Sequence, residues 1–144
     1  MLNTNLWKRT QVLALALILL MLLTAVVGFA ATKIIGKDGG RIYMKYPTVF
    51  LEIPPNVLET ETLISADMVE ESGRVSFYFG PDGTTFDSKP ALLYVNMADM
   101  GDVDDFTLYG ESGEEIQPRI VSGIGVRWVT WDIPHFSLYY YRRR

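Results

Sequence analysis

The triplet His135-Phe136-Ser137, near the end of the chain, contains the only histidine of the sequence. In an extended strand, side chains two positions apart lie on the same face, so the imidazole can lie beside the serine hydroxyl. A histidine next to a hydroxyl is the base–nucleophile pair of covalent catalysis, and the near-neutral pKa of imidazole suits proton transfer. The same residues also fit an ordinary last strand, with Phe136, Leu138 and Tyr140 as its core face.

Four carboxylates form a second candidate site, at Asp99, Asp102, Asp104 and Asp105. Clustered carboxylates suit Ca²⁺, which prefers oxygen ligands. Their spacing departs from that of the helix-loop-helix calcium loop, and the glutamate that ends such a loop is missing. A solvated acidic turn between two strands explains the same residues. We therefore predict no bound cofactor, with calcium as the alternative for these aspartates.

The sequence offers few other residues for catalysis, because the chain has one histidine and no cysteine. No glycine-rich phosphate loop follows a strand pattern either. Aromatic residues crowd the C-terminal half instead, at Trp128, Trp131, Tyr139, Tyr140 and Tyr141. Strand alternation places some of these rings outward, where they favour contacts with proteins or sugars. These residue types indicate a binding module rather than an enzyme.

Alternating hydrophobicity predicts the elements that would position these side chains. Val49, Leu51 and Ile53 form one face of a strand, and the same period of two recurs over residues 75–79 and 91–97. Turn residues separate such runs, among them Pro54-Pro55 and Gly80-Pro81-Asp82-Gly83. The pattern predicts an all-β fold, an antiparallel β-sandwich of about seven to nine strands.

A hydrophobic N-terminal segment precedes this domain. Lys8 and Arg9 come before a nearly uninterrupted apolar stretch, residues 12–31. This is the pattern of a secretory signal, with cleavage between Ala30 and Ala31. About 20 apolar residues also suffice to span a bilayer, so an uncleaved membrane anchor is the alternative. In either case residues 1–30 form one hydrophobic helix, and residues 31–144 form a domain outside the cytoplasm.

The charge of that domain limits its partners. The chain has 13 basic and 17 acidic residues, and residues 1–30 hold two basic and no acidic ones, which leaves 11 against 17, or −6. An acidic domain repels phosphates, which argues against nucleic acid as a partner. Small exported domains commonly have disulfides, but many bacterial ones lack them. An exported domain without cysteine therefore points to a bacterial source.

Several sequence blocks stand in a fixed order along residues 38–141. The two most specific are Gly80-Pro81-Asp82-Gly83-Thr84-Thr85-Phe86 and His135-Phe136-Ser137; the others are Gly39-Gly40-Arg41-Ile42, residues 49–58, residues 62–66 and residues 89–93. In this order and spacing the chain resembles the ZU-five domain, the β-sandwich of ankyrins, netrin receptors and zonula occludens proteins. It is most similar to the short exported bacterial members, which are mostly of unknown function.

The resemblance implies one further reaction. Some ZU-five domains cleave themselves between the phenylalanine and serine of such a triplet, so Ser137 would attack the Phe136 carbonyl in an N-to-O acyl shift with His135 as the base. The function we expect is a non-enzymatic interaction or structural module at the bacterial cell envelope, with an unidentified protein partner. Self-cleavage at Phe136–Ser137 is the first alternative, and a glycan-binding module is the second.

Overall fold

The computed structural model describes residues 30–86, 88–103 and 105–144. These residues form an all-β domain, as predicted, with eleven strands and one short 3₁₀ helix, Met97–Asp99. The strands are β1 Ala31–Ile35, β2 Gly40–Lys45, β3 Val49–Ile53, β4 Thr62–Glu71, β5 Arg74–Gly80, β6 Ala91–Asn96, β7 Leu108–Gly110, β8 Glu115–Ile116, β9 Arg119–Gly123, β10 Val126–Ile133 and β11 Leu138–Arg142. The count exceeds the predicted seven to nine because strands as short as β7 and β8 show no alternation that a sequence pattern can reveal.

The strands form two antiparallel sheets, an arrangement consistent with a β-sandwich. Sheet A has the order β1-β4-β5-β11-β7-β8, and sheet B has the order β2-β3-β6-β10-β9. One continuous apolar core joins them; it includes Ile42, Leu51, Leu93, Val129 and Trp131 from sheet B and Ile64, Val75, Phe77 and Tyr141 from sheet A. The rings of Trp131 and Tyr141 stack 6.1 Å apart, which ties the centre of one sheet to the centre of the other.

The predicted leader lies almost wholly outside the described residues, which begin at Ala30. Ala30 is exposed, and Ala31 is the first residue of β1, where it pairs with Ala66 on β4. A cut between Ala30 and Ala31 would therefore leave β1 complete. No helix among the described residues has the length and hydrophobicity that a membrane crossing requires.

Alternation predicted the buried faces of three strands correctly. The odd-numbered residues of β3 and β5 and the residues Ala91, Leu93 and Val95 of β6 are all buried. Met97, predicted for the same face as Val95, is only partly buried and belongs to the 3₁₀ helix. Pro54 follows β3 directly, in keeping with its lack of a backbone donor for a sheet ladder. Phe86, beyond the turn after β5, folds back into the core as expected.

The predicted core face of the last strand is wrong. Phe136 is fully buried, but Leu138 and Tyr140 are only partly buried, and the core positions of β11 are Tyr139 and Tyr141. Residues 136 and 137 form a bend before β11 begins. That bend shifts the alternation by one residue, so the inward face passes from position 136 to position 139.

Candidate functional site

The two most specific sequence blocks meet in space. The Gly83 N–H donates to the Phe136 carbonyl at 3.1 Å, and the Phe136 N–H donates to the Thr84 carbonyl at 2.7 Å. One step further along, the Phe86 N–H donates to the Pro134 carbonyl at 3.0 Å. These bonds hold the Phe136–Ser137 peptide at its bend. Both the backbone N–H and the backbone carbonyl of Phe136 take part.

A tight turn presents the Gly83 amide to this peptide. The Thr84 N–H donates to the Pro81 carbonyl at 3.2 Å, so the hydrogen-bonded turn starts at Pro81, one residue later than the sequence suggests. Gly83 has a φ of 78°, in the left-handed region that glycine adopts without steric penalty. A side chain at this position would strain the turn that aims its N–H at the Phe136 carbonyl.

His135 pairs with a carboxylate that the sequence did not reveal. Its Nε2 lies 3.0 Å from Glu114 Oε1, and the Ser112 hydroxyl donates to the other carboxylate oxygen. The Ser112 hydrogen bond and the nearby His135 hold the pKa of the Glu114 carboxyl below its usual range. Glu114 Oε1 is buried and has no hydrogen-bond partner among the described residues, so its approach to Nε2 is a close contact and not an aligned hydrogen bond.

The predicted contact between His135 and Ser137 is not formed. Ser137 Oγ is buried and has no hydrogen-bond partner among the described residues. Because residues 136 and 137 form a bend instead of extended strand, the rule that places positions 135 and 137 on one face does not apply. The imidazole faces Glu114 and Tyr139 instead, and the Tyr139 hydroxyl lies 3.4 Å from each ring nitrogen.

Tyr139 closes the site from the core side. Its hydroxyl donates to the His135 carbonyl at 2.9 Å, and burial raises the pKa of the phenol to about 12. The nearby Ser137 side chain lowers that pKa, against the larger effect of burial. On the solvent side an open groove of about 250 Å³ reaches Ser137; its other walls are Tyr78, Phe79, Asp82, Glu111 and Leu138.

Glu114 and Tyr139 are the site residues that sequence reasoning missed. Glu114 comes from the turn between β7 and β8, far from the triplet along the chain. The one sequence signal is the pair Gly110 and Gly113, which marks that turn. A Cβ at Gly110 would lie 2.1 Å from the Glu114 side chain, so a larger residue there would displace the carboxylate from this position.

The predicted aspartate site is not gathered by the described residues. Asp99 pairs with Lys45 at 2.9 Å, Asp102 lies 3.9 Å from Arg144, and the Asp105 carboxylate accepts the Thr107 N–H. No group of three or more acidic or histidine side chains in the described part of the chain could hold a metal. Asp104 lies outside that part, so a calcium site that includes it stays a prediction.

The outer face of sheet B carries a continuous set of aromatic rings, here called the aromatic row. Its members are Tyr46, Tyr43, Phe50, Tyr94 and Trp128. Ring centroids of successive members are 5.0, 5.2, 4.7 and 6.3 Å apart, and Trp128 also contacts Phe50 at 5.5 Å. The row crosses the four adjacent strands β2, β3, β6 and β10, about 14 Å at the usual strand spacing.

The aromatic row is a second apolar cluster outside the main core. Phe50 points away from the other sheet yet is only 5% exposed, because neighbouring rings cover it and the Arg41 guanidinium lies 4.8 Å above it. Two ion pairs flank the row on the same face, Arg41–Glu52 and Arg119–Asp132. An apolar centre with a charged rim is the composition of a protein-binding surface.

The other aromatic residues of the C-terminal half divide between core and surface. Trp131, Tyr139 and Tyr141 are buried, so none of these three rings is available to stack on a sugar. Tyr140 faces outward on sheet A and stacks on Tyr109 at 5.6 Å. Trp128 thus remains as the outward-facing tryptophan of residues 31–144.

No protein-family model matches this chain. No curated protein matches it either.

Proposed function

We propose that residues 31–144 form a non-enzymatic interaction module, exported to the bacterial cell envelope by the hydrophobic segment that precedes them. The observation that carries this proposal is the aromatic row on the outer face of sheet B. Its ligand is a protein surface at the envelope. Residues 1–30 supply the export signal or the anchor, and the net charge of residues 31–144, 11 basic against 17 acidic side chains, disfavours nucleic acid.

The composition of the row supports a protein ligand. Tyr and Trp are enriched in protein interfaces because they bury a large area with few rotatable bonds. Tyr46 is largely exposed, and Tyr43, Tyr94 and Trp128 are partly exposed, so a partner would cover apolar area that now faces water. Burial of such area drives association.

Site-specific photocrosslinking tests the proposal. We expect a photoreactive phenylalanine analogue at Tyr94, in the centre of the row, to yield a discrete crosslinked protein in cells of the source organism. The same analogue at Tyr78, exposed on the outer face of sheet A, is the matched control. Trp128→Ala should reduce the yield from position 94 several-fold, because it removes the adjoining ring. Equal yields from positions 94 and 78 would contradict the proposal.

A glycan ligand predicts a different result. Sugars stack on exposed tryptophan, so a cell-wall polysaccharide would change the emission of Trp128, whereas Trp131 is buried. A fluorescence change that Trp128→Ala abolishes, without any crosslinked protein, would favour the glycan-binding alternative.

Self-cleavage at Phe136–Ser137 is the second candidate, and one observation favours it. A buried hydroxyl without a hydrogen-bond partner is rare and unfavourable in a native fold, and Ser137 Oγ, like Ser76 Oγ in β5, is such a group among the described residues. Next to it, the Phe136 carbonyl accepts the Gly83 N–H. A backbone donor at that oxygen would stabilise the negative charge that develops during attack on the carbonyl carbon.

In the proposed reaction, Ser137 Oγ bonds to the Phe136 carbonyl carbon and gives its proton to His135, which lies beside the Glu114 carboxylate. The carbon–nitrogen bond then breaks, the nitrogen takes the proton, and an ester joins the two residues. Water hydrolyses the ester, which leaves a carboxylate on Phe136 and a free amine and hydroxyl on Ser137. The imidazole would first have to turn from Tyr139 toward Ser137.

Intact mass under denaturing conditions tests this candidate. Denaturation is needed because residues 138–142 form β11 between β5 and β7, so a cut tail would stay in the sheet. If the candidate is right, the full chain kept for days at neutral pH will give a new fragment that begins at Ser137. Ser137→Ala should abolish that fragment, and Glu114→Gln should slow its appearance. A single unchanged mass would reject self-cleavage and leave the interaction module unaffected.

A further inference from the structure

The two sheets end in four edge strands, and three of these edges are blocked against pairing. In β1 the Lys33 ammonium donates to the Arg41 carbonyl on β2, 3.3 Å away, so a charged side chain lies across the gap between those two edges. Strand β2 also has a bulge between Tyr43 and Lys45. Strand β8 has two residues, one of them Glu115. Charges, bulges and short length are the devices by which sheets avoid edge-to-edge pairing.

The fourth edge, β9, has no bulge, and its one charge is paired within the sheet. Its sequence Arg119-Ile120-Val121-Ser122-Gly123 contains no lysine and no proline, and its register with β10 is continuous. All five residues are exposed, and β10 is its one neighbour among the described residues. The single charged residue, Arg119, is engaged by Asp132 on β10.

Apolar side chains lie on both faces of this edge. Ile120 is 47% exposed and Val121 is 46% exposed, and Ile124, in the turn that follows, is fully exposed. An unpaired edge of regular strand with apolar side chains is a template for a further strand.

We propose that a second copy of this chain pairs with β9, antiparallel, about a two-fold axis at Val121. This register pairs all five residues and is self-complementary. Val121 faces its own copy, Ile120 faces Ser122 of the other copy, and Arg119 faces Gly123. In this register no like charges stand opposite each other. Opposed like charges destabilise a strand pair, and symmetric pairing of a charged strand can create them.

Pairing at β9 would also bring the aromatic rows of the two copies together. Val121 lies opposite Trp128 on β10, on the outer face of sheet B. The contact between the two Val121 side chains therefore joins the two aromatic rows into one surface. The inference rests on the β9 edge and not on the proposed function, because it requires no ligand on the row.

Disulfide trapping in the full chain tests the register, since the native chain has no cysteine. Val121→Cys places two sulfurs at directly opposed positions, whose Cα atoms lie about 4.5–5.5 Å apart in an antiparallel pair. Ile124→Cys is the matched control: Ile124 is more exposed, but its copies lie about 20 Å apart in this register at 3.4 Å per residue. Under mild oxidation with copper phenanthroline, Val121→Cys should form dimers roughly tenfold faster, because Cα atoms far apart cannot be bridged.

A charge exchange makes the test independent of cysteine. Val121→Lys alone and Val121→Glu alone should each be monomeric, because like charges oppose each other at the axis, and an equimolar mixture should form a heterodimer. Equal or faster crosslinking of Ile124→Cys would overturn the proposal and indicate collisions, or association through the hydrophobic N-terminus. Failure of Val121→Cys to crosslink would overturn it too, and would leave photocrosslinking at Tyr94 as a separate test of the row.

Discussion

Replacing Trp131 by alanine should lower the free energy of unfolding by about 3–5 kcal/mol, the usual loss for a large aromatic removed from a core. Trp131 is fully buried and stacks on Tyr141 of the opposite sheet. Its indole N–H donates to the Phe106 carbonyl at 2.7 Å, so the truncation also removes the donor to that carbonyl. Since a domain of this size is stable by about 5–15 kcal/mol, the loss is a large share of the total.

Trp128→Ala is the matched control for this prediction. Trp128 lies three residues from Trp131 on the same strand, and an odd separation places the two side chains on opposite faces. Its contacts are with Phe50 and Tyr94 in the aromatic row, and the loss of such ring pairs costs about 1 kcal/mol. Urea unfolding followed by circular dichroism measures both variants. Similar midpoints for the two would show that the core does not depend on Trp131 as described.

Sequence reasoning found the faces of strands whose signal is local. In β3, Val49, Leu51 and Ile53 carry a period of two that needs no knowledge of the rest of the fold. The same holds for β5 and β6. The all-β class followed from these strands and from the turns between them, and the structure confirms it.

The last strand was assigned to the wrong face because its start depends on a distant segment. Phe136 is buried and hydrogen-bonded to Gly83 and Thr84, and the chain bends at residues 136–137. Alternation read through that bend predicts Leu138 and Tyr140 inside, where Tyr139 and Tyr141 lie. A pattern of period two holds only within one uninterrupted strand.

The candidate sites depend on which strands become neighbours, and a single sequence does not give that order. Alternation alone places Phe50 and Tyr94 outward, but only the pairing of β3 with β6 puts their rings 4.7 Å apart. Glu114 meets His135 for the same reason, since β7 and β11 are adjacent in sheet A. The sequence shows the residue types, but it does not show the contacts between strands that bring these residues together into a surface.

Gly39 shows a sequence signal whose physical reason becomes clear from the structure. It has a φ of 70° and ends the turn between β1 and β2, where its N–H donates to the Gly36 carbonyl at 3.0 Å. A Cβ at this position would lie 2.3 Å from the Ile53 carbonyl oxygen and 2.9 Å from the Pro54 carbonyl oxygen. Both are backbone atoms, which move only if the end of β3 moves. The Gly-Gly-Arg-Ile block therefore marks a close approach of two backbones.

Gly39→Ala should accordingly destabilise the domain by about 2–5 kcal/mol, of which about 1–2 come from the left-handed backbone and the rest from the displaced strand end. Gly73→Ala separates the two contributions. Gly73 has a φ of 85° in the turn between β4 and β5, but nothing lies within 4 Å of its added Cβ, so only the backbone term of about 1–2 kcal/mol remains. Urea midpoints give both values. Equal losses would mean that the clash with Ile53 and Pro54 relaxes freely; a larger loss at Gly39 would show that the β1–β2 turn and the end of β3 are fixed to each other by contact.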